Sequence, residues 1–297
     1  VKVVSPTHFN AATHLVSSNA VEAYAAYNAG TTYAKDAIVD FGTFLYQSLV
    51  NSNTGNQPDT SPSFWVLSGP DNTHAMFDDQ VSTATTSTTP LTVVLSPGYM
   101  NSLALLGLVG NQVVINVTDG AGGPNVYSKT ISLDGTFIYD WYMYFFEPYV
   151  QVGEVVLTDI PPYVNARLTM TLSRTSGTVS IGQLVFGTFY DLGETEYGGA
   201  TAGIIDYSRK ETDEFGVTAF VRRAFSKRMS LRMMLDTTQI NKVQRVLSDL
   251  RATPAVWIGA DGDDFLPLVV YGFYRDFSID VAYPTKSYCS LEVEGLT

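Results

Sequence analysis

The chain has 297 residues, of which 45% are hydrophobic, 12% aromatic and 15% charged, the last figure well below the roughly 25% of an average globular chain. This composition excludes disorder, because enough apolar surface is present to offset the entropy of ordering, and the length suggests two or three domains at roughly 100–200 residues each. Seventeen basic and 29 acidic residues give a net charge of −12, the wrong sign for a general nucleic-acid binder, which needs a basic footprint on phosphates.

The charge is unevenly spread. Residues 1–208 hold 5 basic and 17 acidic residues, whereas residues 209–297 hold 12 of each. The step marks a change of domain or of contact environment. Cys289 is the only cysteine, so neither an intrachain disulfide nor a thiolate metal cluster is expected. No apolar run reaches the roughly 18 residues that span a bilayer. The stretch from Val1 to Pro6 lacks the apolar core of a signal peptide. Membrane insertion is therefore not expected, and folding in a reducing cytoplasm is.

In chain order, residues 1–81 form an N-terminal region. Val21, Tyr24 and Ala25 recur at helical spacing and predict a short helix over 18–27. Residues 31–66 read as short strands separated by turns. The low-complexity run from Ser82 to Thr89, ending at Pro90, predicts a linker over 82–90. Residues 91–196 read as an antiparallel β-sandwich. Val113, Ile115 and Val117 alternate with polar or small neighbours, as do Leu168, Met170 and Leu172, and turn chemistry lies at Asp119-Gly120, Gly122-Gly123-Pro124, Asp134-Gly135 and Ser176-Gly177. Residues 197–297 read as an α+β domain. Asp236 or Thr237 caps its one helix, Val243, Val246, Leu247 and Leu250 form the apolar stripe, and Pro254 stops it. A strand from Ala255 to Ile258 and an Asp261-Gly262 hairpin turn into residues 265–273 follow. The expected fold class is mainly β: a small N-terminal β module, a central antiparallel β-sandwich and a C-terminal α+β domain with one helix. No repeat of roughly 20–50 residues is present.

Catalytic patterns are not found. The three histidines, His8, His14 and His74, lie near the N-terminus, without a Gly-x-Ser-x-Gly elbow, a His-Glu-x-x-His pair or a Walker loop. Asp261-Gly262-Asp263-Asp264 offers carboxylates to a hard cation, but no distal Glu completes an EF-hand, and Asp-Gly between apolar strands reads as a hairpin turn. Twenty-nine acids single out no glycosidase pair. No catalytic residue, metal ligand or cofactor is assigned, and an enzyme is not expected.

Two segments point to contact surfaces. Phe137, Tyr139, Trp141, Tyr142, Tyr144, Phe145, Phe146 and Tyr149 fall within 13 residues. Read as a strand, they place Phe137, Tyr139 and Trp141 on one face and Tyr142, Tyr144 and Phe146 on the other, unless a bulge near Trp141 resets the phase. One face is core. The second lies under a neighbouring domain, makes a subunit interface or stacks on sugar rings. Trp141 is expected to be buried. Residues 209–251 hold ten basic residues against five acidic ones. Such a face suits docking on an acidic surface, its own or a partner's, or is simply solvated. Arg222, Arg223, Lys227 and Arg228 are the candidate assembly residues there, with Trp141, Tyr142 and Tyr144 as a second candidate interface.

Residues 30–65 carry a more specific pattern: Gly30-Thr31-Thr32-Tyr33-Ala34-Lys35-Asp36-Ala37-Ile38-Val39, then Phe41-Gly42-Thr43-Phe44-Leu45-Tyr46-Gln47-Ser48, then Asn51-Ser52-Asn53-Thr54-Gly55-Asn56-Gln57-Pro58 and Phe64-Trp65. The segment, with a module placed at about 30–66, resembles the small chitin- and cellulose-binding module of bacterial chitinases. The resemblance implies a three-stranded mini-sheet in which Asp36 pins a turn, Gly42 allows a hairpin, and Tyr46 and Trp65 are candidate glycan-binding rings. Lys35 stands where that family has Gly, and its leading Trp is absent. The alternative is a docking element with Tyr46 and Trp65 as a mini-core, which predicts a partly buried Trp65 and no chitin or cellulose binding by the monomer.

The wider pattern is similar to a family of tailed-phage virion proteins. It includes Gly69-Pro70, Ala75-Met76-Phe77-Asp78, Val185-Phe186-Gly187, Leu192-Gly193-Glu194-Thr195, Tyr197-Gly198, the run from Asp206 to Gly216, and the close from Ser290 to Leu296. This resemblance implies a tail-tip or baseplate component, made in the bacterial cytoplasm and located in the virion. Its expected partners are other tail proteins and further copies of itself, and its expected role is that of a structural adaptor. The alternative function is a virion protein that binds host surface glycans.

Overall fold

The computed structural model describes the 297 residues except Phe137, Asp213, Glu214, Asp261, Gly262, Ala282 and Thr297. The chain is mainly β. Its largest element is a nine-stranded antiparallel sheet with the order Glu154–Leu157, Ser102–Leu106, Gln183–Asp191, Lys2–Pro6, Ala255–Ile258, Val269–Asp280, Lys286–Gly295, Phe225–Asp236 and Glu194–Asp206. A five-stranded sheet has the order Asn125–Ser132, Gln112–Asp119, Ala166–Ser173, Leu91–Leu95 and Leu15–Ser18.

Period-two alternation explains how the layers pack. In Ala166–Ser173 the residues Ala166, Leu168, Met170 and Leu172 are buried while their neighbours are not. Val113, Ile115 and Val117 do the same one strand away, in register with Leu172, Met170 and Leu168. Together they cover one end of the nine-stranded sheet through Leu103, Leu105, Leu184 and Phe186, which makes the central β-sandwich. At the other end of the large sheet the helix Ile240–Asp249 buries Val243, Val246 and Leu247 against Met233, Leu291 and Trp257. Leu250, at the helix C-cap, joins that core as the stripe predicted. The α+β end therefore shares its sheet with the sandwich.

Several local expectations are corrected. Residues 18–27 form no helix. The Ala20 amide bonds the Ser18 hydroxyl, the Tyr24 amide bonds the Glu22 carboxylate, and the Asn19 amide bonds the Thr92 carbonyl. Two side chains and a strand carbonyl thus capture donors that a helix needs. The polar run at 82–90 contains a strand, Thr85–Ser87, paired with Val179–Ile181, and Thr85 is fully buried. Asp236 caps a 3-10 turn, Thr237–Gln239, which leads into the helix without a side-chain cap bond. The predicted Asp261-Gly262 turn lies outside the described residues. The strand expected from 265 begins at Val269, after a 3-10 turn that contains Pro267.

Lys2–Pro6 seats in the middle of the large sheet, and a glycine permits the close approach on one side. A Cβ on Gly187 would stand 2.0 Å from the Ser5 carbonyl oxygen. Gly187→Ala is therefore expected to destabilise the chain by about 3 kcal/mol in chemical denaturation. Gly203→Ala, whose Cβ would meet only the flexible end of Arg228 at 3.2 Å, should change stability little.

Candidate functional site

The N-terminal segment forms its own sheet, Ile38–Phe41, Phe44–Ser48 and Trp65–Pro70. Gly42 takes φ 76° in the tight turn, a conformation that suits glycine. Asp36 also has positive φ, and its amide bonds the Ser48 carbonyl at 2.8 Å. Trp65 is only 3% exposed. Its indole N–H donates to the Asn56 carbonyl at 2.8 Å, and the rings of Tyr33 and Tyr27 meet it edge-on at 5.3 and 6.0 Å. Asn53, also buried, donates to the Ser48 hydroxyl and the Phe64 carbonyl. Trp65 is thus the centre of a small core and presents no open ring face. Tyr46 is half-buried, edge-on to Phe41.

At the seam between this module and the sandwich, His74 places Nδ1 at 2.7 and 2.8 Å from the two Asp71 carboxylate oxygens. Phe9 stacks on Phe77 at 3.9 Å, and His14 lies edge-on to Phe186. The His14 Nδ1 accepts the Asn10 amide, and burial, aided by His8, holds its pKa below the usual histidine value. These rings pack and cap. Asp40 faces the same seam. Burial raises its carboxyl above the usual range, and the Asp71 and Glu22 charges add to the shift.

The aromatic run departs from the strand that alternation predicted. Trp141–Phe146 is a helix of one and a half turns whose N-cap Asp140 accepts the Met143 amide at 2.7 Å. Its base is closed by Gly135 bonding the Val150 carbonyl and by the Tyr149 hydroxyl bonding the Leu133 carbonyl. Trp141 is 78% exposed and Tyr142 72% exposed, so the expected burial of Trp141 does not hold in this chain. The rings touch mainly one another: Trp141 with Tyr144, Tyr142 with Phe146, and Tyr144 with Phe145. Phe137 lies outside the described residues. The feature is an aromatic knob that no layer covers among the described residues.

The basic segment separates into two groups. Lys227 bonds the Glu154 carboxylate, and so ties the second-last strand of the large sheet to the edge strand at its far end. It also donates to the Val269 carbonyl at 3.3 Å. The sheet curls far enough that both edge strands line one cleft of about 1000 Å³, walled by Val155, Leu157, Ile204, Phe225 and Val269. Beyond the cleft, the strands Arg209–Thr212 and Thr218–Val221 pair, among the described residues, only with each other, and every one of their residues is exposed. Arg222 and Arg223 lie at the foot of this ribbon, exposed and without an ion pair among the described residues. Arg228 is exposed on the neighbouring strand.

The knob's helical form, the cleft and the isolated ribbon escape alternation analysis. Asp140 before an aromatic run was the one local signal of a helix start. Among the described residues no group of three or more metal-ligating side chains converges, and no helix is long and apolar enough to cross a membrane. Cys289 is buried, and burial pushes its thiol up to about 11. No protein-family model matches the chain, and no curated protein or solved structure matches it either.

Two outcomes follow from the module's packing. Trp65→Ala should cost about 3–5 kcal/mol of local stability. Hydrogen exchange would show this as lost protection across residues 33–65, with the nine-stranded sheet still protected. Asp40 prefers its proton in the folded state, so its ionisation opposes folding above its raised pKa and ceases to do so as pH falls below its ordinary value. Asp40→Asn is accordingly expected to raise the melting temperature at pH 7 and to leave it unchanged near pH 3.

Proposed function

We propose that the chain is a structural component of a tailed-phage virion, a distal-tail or baseplate adaptor working in a symmetric assembly with other tail proteins. The observation that supports this reading is the isolated β-ribbon of Arg209–Thr212 and Thr218–Val221, whose strands are exposed throughout and pair with each other rather than with the large sheet. A two-stranded ribbon is marginal alone in water, so contact with another chain accounts for it best. The motif resemblance to phage virion proteins supports the same reading, and the overall acidity argues against nucleic acid as the partner. On this reading the chain is not an enzyme.

A second reading, a virion protein that binds host glycans, draws support from the open rings of Trp141, Tyr142 and Tyr144, because flat exposed rings can stack on sugars. The enclosed ring of Trp65 moves any such role away from the N-terminal module.

Replacing Arg222 and Arg223 with Gln in the phage should leave a folded chain but give virions that lack it or fail to infect. Normal incorporation and infectivity would sink the adaptor reading. In calorimetric titration with chito-oligosaccharides the isolated chain should show no binding. A dissociation constant below about 100 µM that disappears in Trp141→Ala would promote the glycan reading.

A further inference from the structure

The two outer strands of the nine-stranded sheet, Glu154–Leu157 and Glu194–Asp206, each pair on one side only among the described residues, and both line the cleft of about 1000 Å³. Ladder alternation shows which backbone groups are open there. The Gly182 amide bonds the Leu106 carbonyl at 3.0 Å, which turns Leu106 away from the first outer strand and leaves Val155 and Leu157 as the residues that bond into the sheet. Glu154 and Val156 therefore direct their N–H and C=O groups outward. At the other edge the Tyr207 amide bonds the Ala224 carbonyl at 3.2 Å. Ile205 and Gly203 thus bond to the neighbouring strand, and Ala202 and Ile204 face out. Ile204, Phe225, Ile258 and Val269 give the cleft an apolar wall, and Val156 packs on the same buried cluster as Ile258 and Val269.

Strand direction selects what fits between these edges. Every neighbouring pair in the sheet is antiparallel. Over nine strands the first and the last therefore run the same way, and they cannot pair antiparallel with each other. One extended segment between them runs antiparallel to both. A hairpin would run parallel to one of them, so the chain's own two-stranded ribbon fits poorly. We propose that the cleft receives a single extended segment of a partner protein, apolar at every second residue, as a tenth strand between the two edges. Its backbone bonds Glu154 and Val156 on one side and Ala202 and Ile204 on the other, and its apolar side chains lie beside Val156, Ile204 and Phe225. Main-chain bonds then supply affinity and the apolar wall supplies specificity, as in other cases of strand addition. The Lys227–Glu154 contact spans the cleft and keeps the two edges near each other. No virion is needed for this contact, so it stands apart from the adaptor reading.

The test uses the full chain and two fluorescein-labelled peptides, one of alternating valine and threonine and one of alternating leucine and serine, each with terminal lysines for solubility. Fluorescence anisotropy should show at least one of them binding with a dissociation constant below about 1 mM. The same peptide with proline at alternate positions, which removes its ladder donors, should bind at least about tenfold more weakly. Amide hydrogen exchange read by NMR on the complex should slow by at least about tenfold at Glu154, Val156, Ala202 and Ile204. It should change little at Val155, Leu157 and Gly203, whose amides already bond within the sheet. Ala202→Pro removes an outward donor without taking a bond from the sheet, and should weaken binding at least about fivefold. The exchange pattern in the unaltered chain decides the matter if that variant folds poorly. Failure of both peptides to bind at about 1 mM, equal binding of the proline peptide, a folded Ala202→Pro chain that binds like wild type, or a bound peptide that leaves the four amides unprotected would overturn the proposal. Binding of decanol in the cleft by a chain that takes up neither peptide would overturn it in favour of a small apolar ligand.

Discussion

The strand Lys2–Pro6 pairs with Gln183–Asp191 on one edge and Ala255–Ile258 on the other, and Val3 and Val4 are fully buried on its opposite faces. Three strands of the large sheet lie on one side of it and five on the other. The three carry the sandwich and the five carry the helix. Without this strand the sheet would be two open halves with unpaired edges, and each half would lose the neighbour that completes its core. The pairing joins segments nearly 200 and more than 250 residues apart in sequence. Loop closure must precede any gain from such contacts, so a slow, strongly cooperative assembly of the sheet is expected. The close approach of Gly187 and Ser5 makes the same junction sensitive to a single methyl group.

Legibility followed burial on one face. Leu168, Met170 and Leu172, with Val113, Ile115 and Val117 opposite, announce their strands because one side meets the core and the other meets polar neighbours. The stripe of Val243, Val246, Leu247 and Leu250 is visible for the same reason at helical period. Where that contrast is missing the sequence misleads. The knob residues Trp141, Tyr142 and Tyr144 have high strand propensity and no polar alternation, yet among the described residues no strand pairs with them, and the local cap at Asp140 decides their conformation. Thr85 sits in a Ser- and Thr-rich run whose composition reads as linker, but pairing with Ile181 buries it. The central position of Lys2–Pro6 has no local signature, because strand order is a property of distant pairing.

The candidate site shows the same division. A count of charges locates the basic segment but cannot tell which cations the fold consumes. Lys227 is spent within the chain on Glu154 and the Val269 carbonyl, where it holds the two edges of the curled sheet near each other. Arg222 and Arg223, five and four residues earlier, stand beyond the end of that ladder. In the N-terminal module the pattern that placed Trp65 and Tyr46 as flat rings was correct about the sheet and silent about the enclosure. Tyr27 and Tyr33 close around the indole, and they come from a segment outside the three strands.

The energetics of the knob and the ribbon set them apart from the rest of the chain. The three buried clusters are built without any residue of Trp141–Phe146 or Arg209–Val221. Fixing each residue's backbone costs about 1–2 kcal/mol in conformational entropy, and burial elsewhere in the chain offsets that cost. A six-residue helix is too short to be stable by hydrogen bonding alone, and a two-stranded ribbon fares no better. Neither feature recovers its ordering entropy through apolar burial in the isolated chain, and both hold aromatic side chains in water. The same two segments are therefore the ones that contribute least to the stability of the chain.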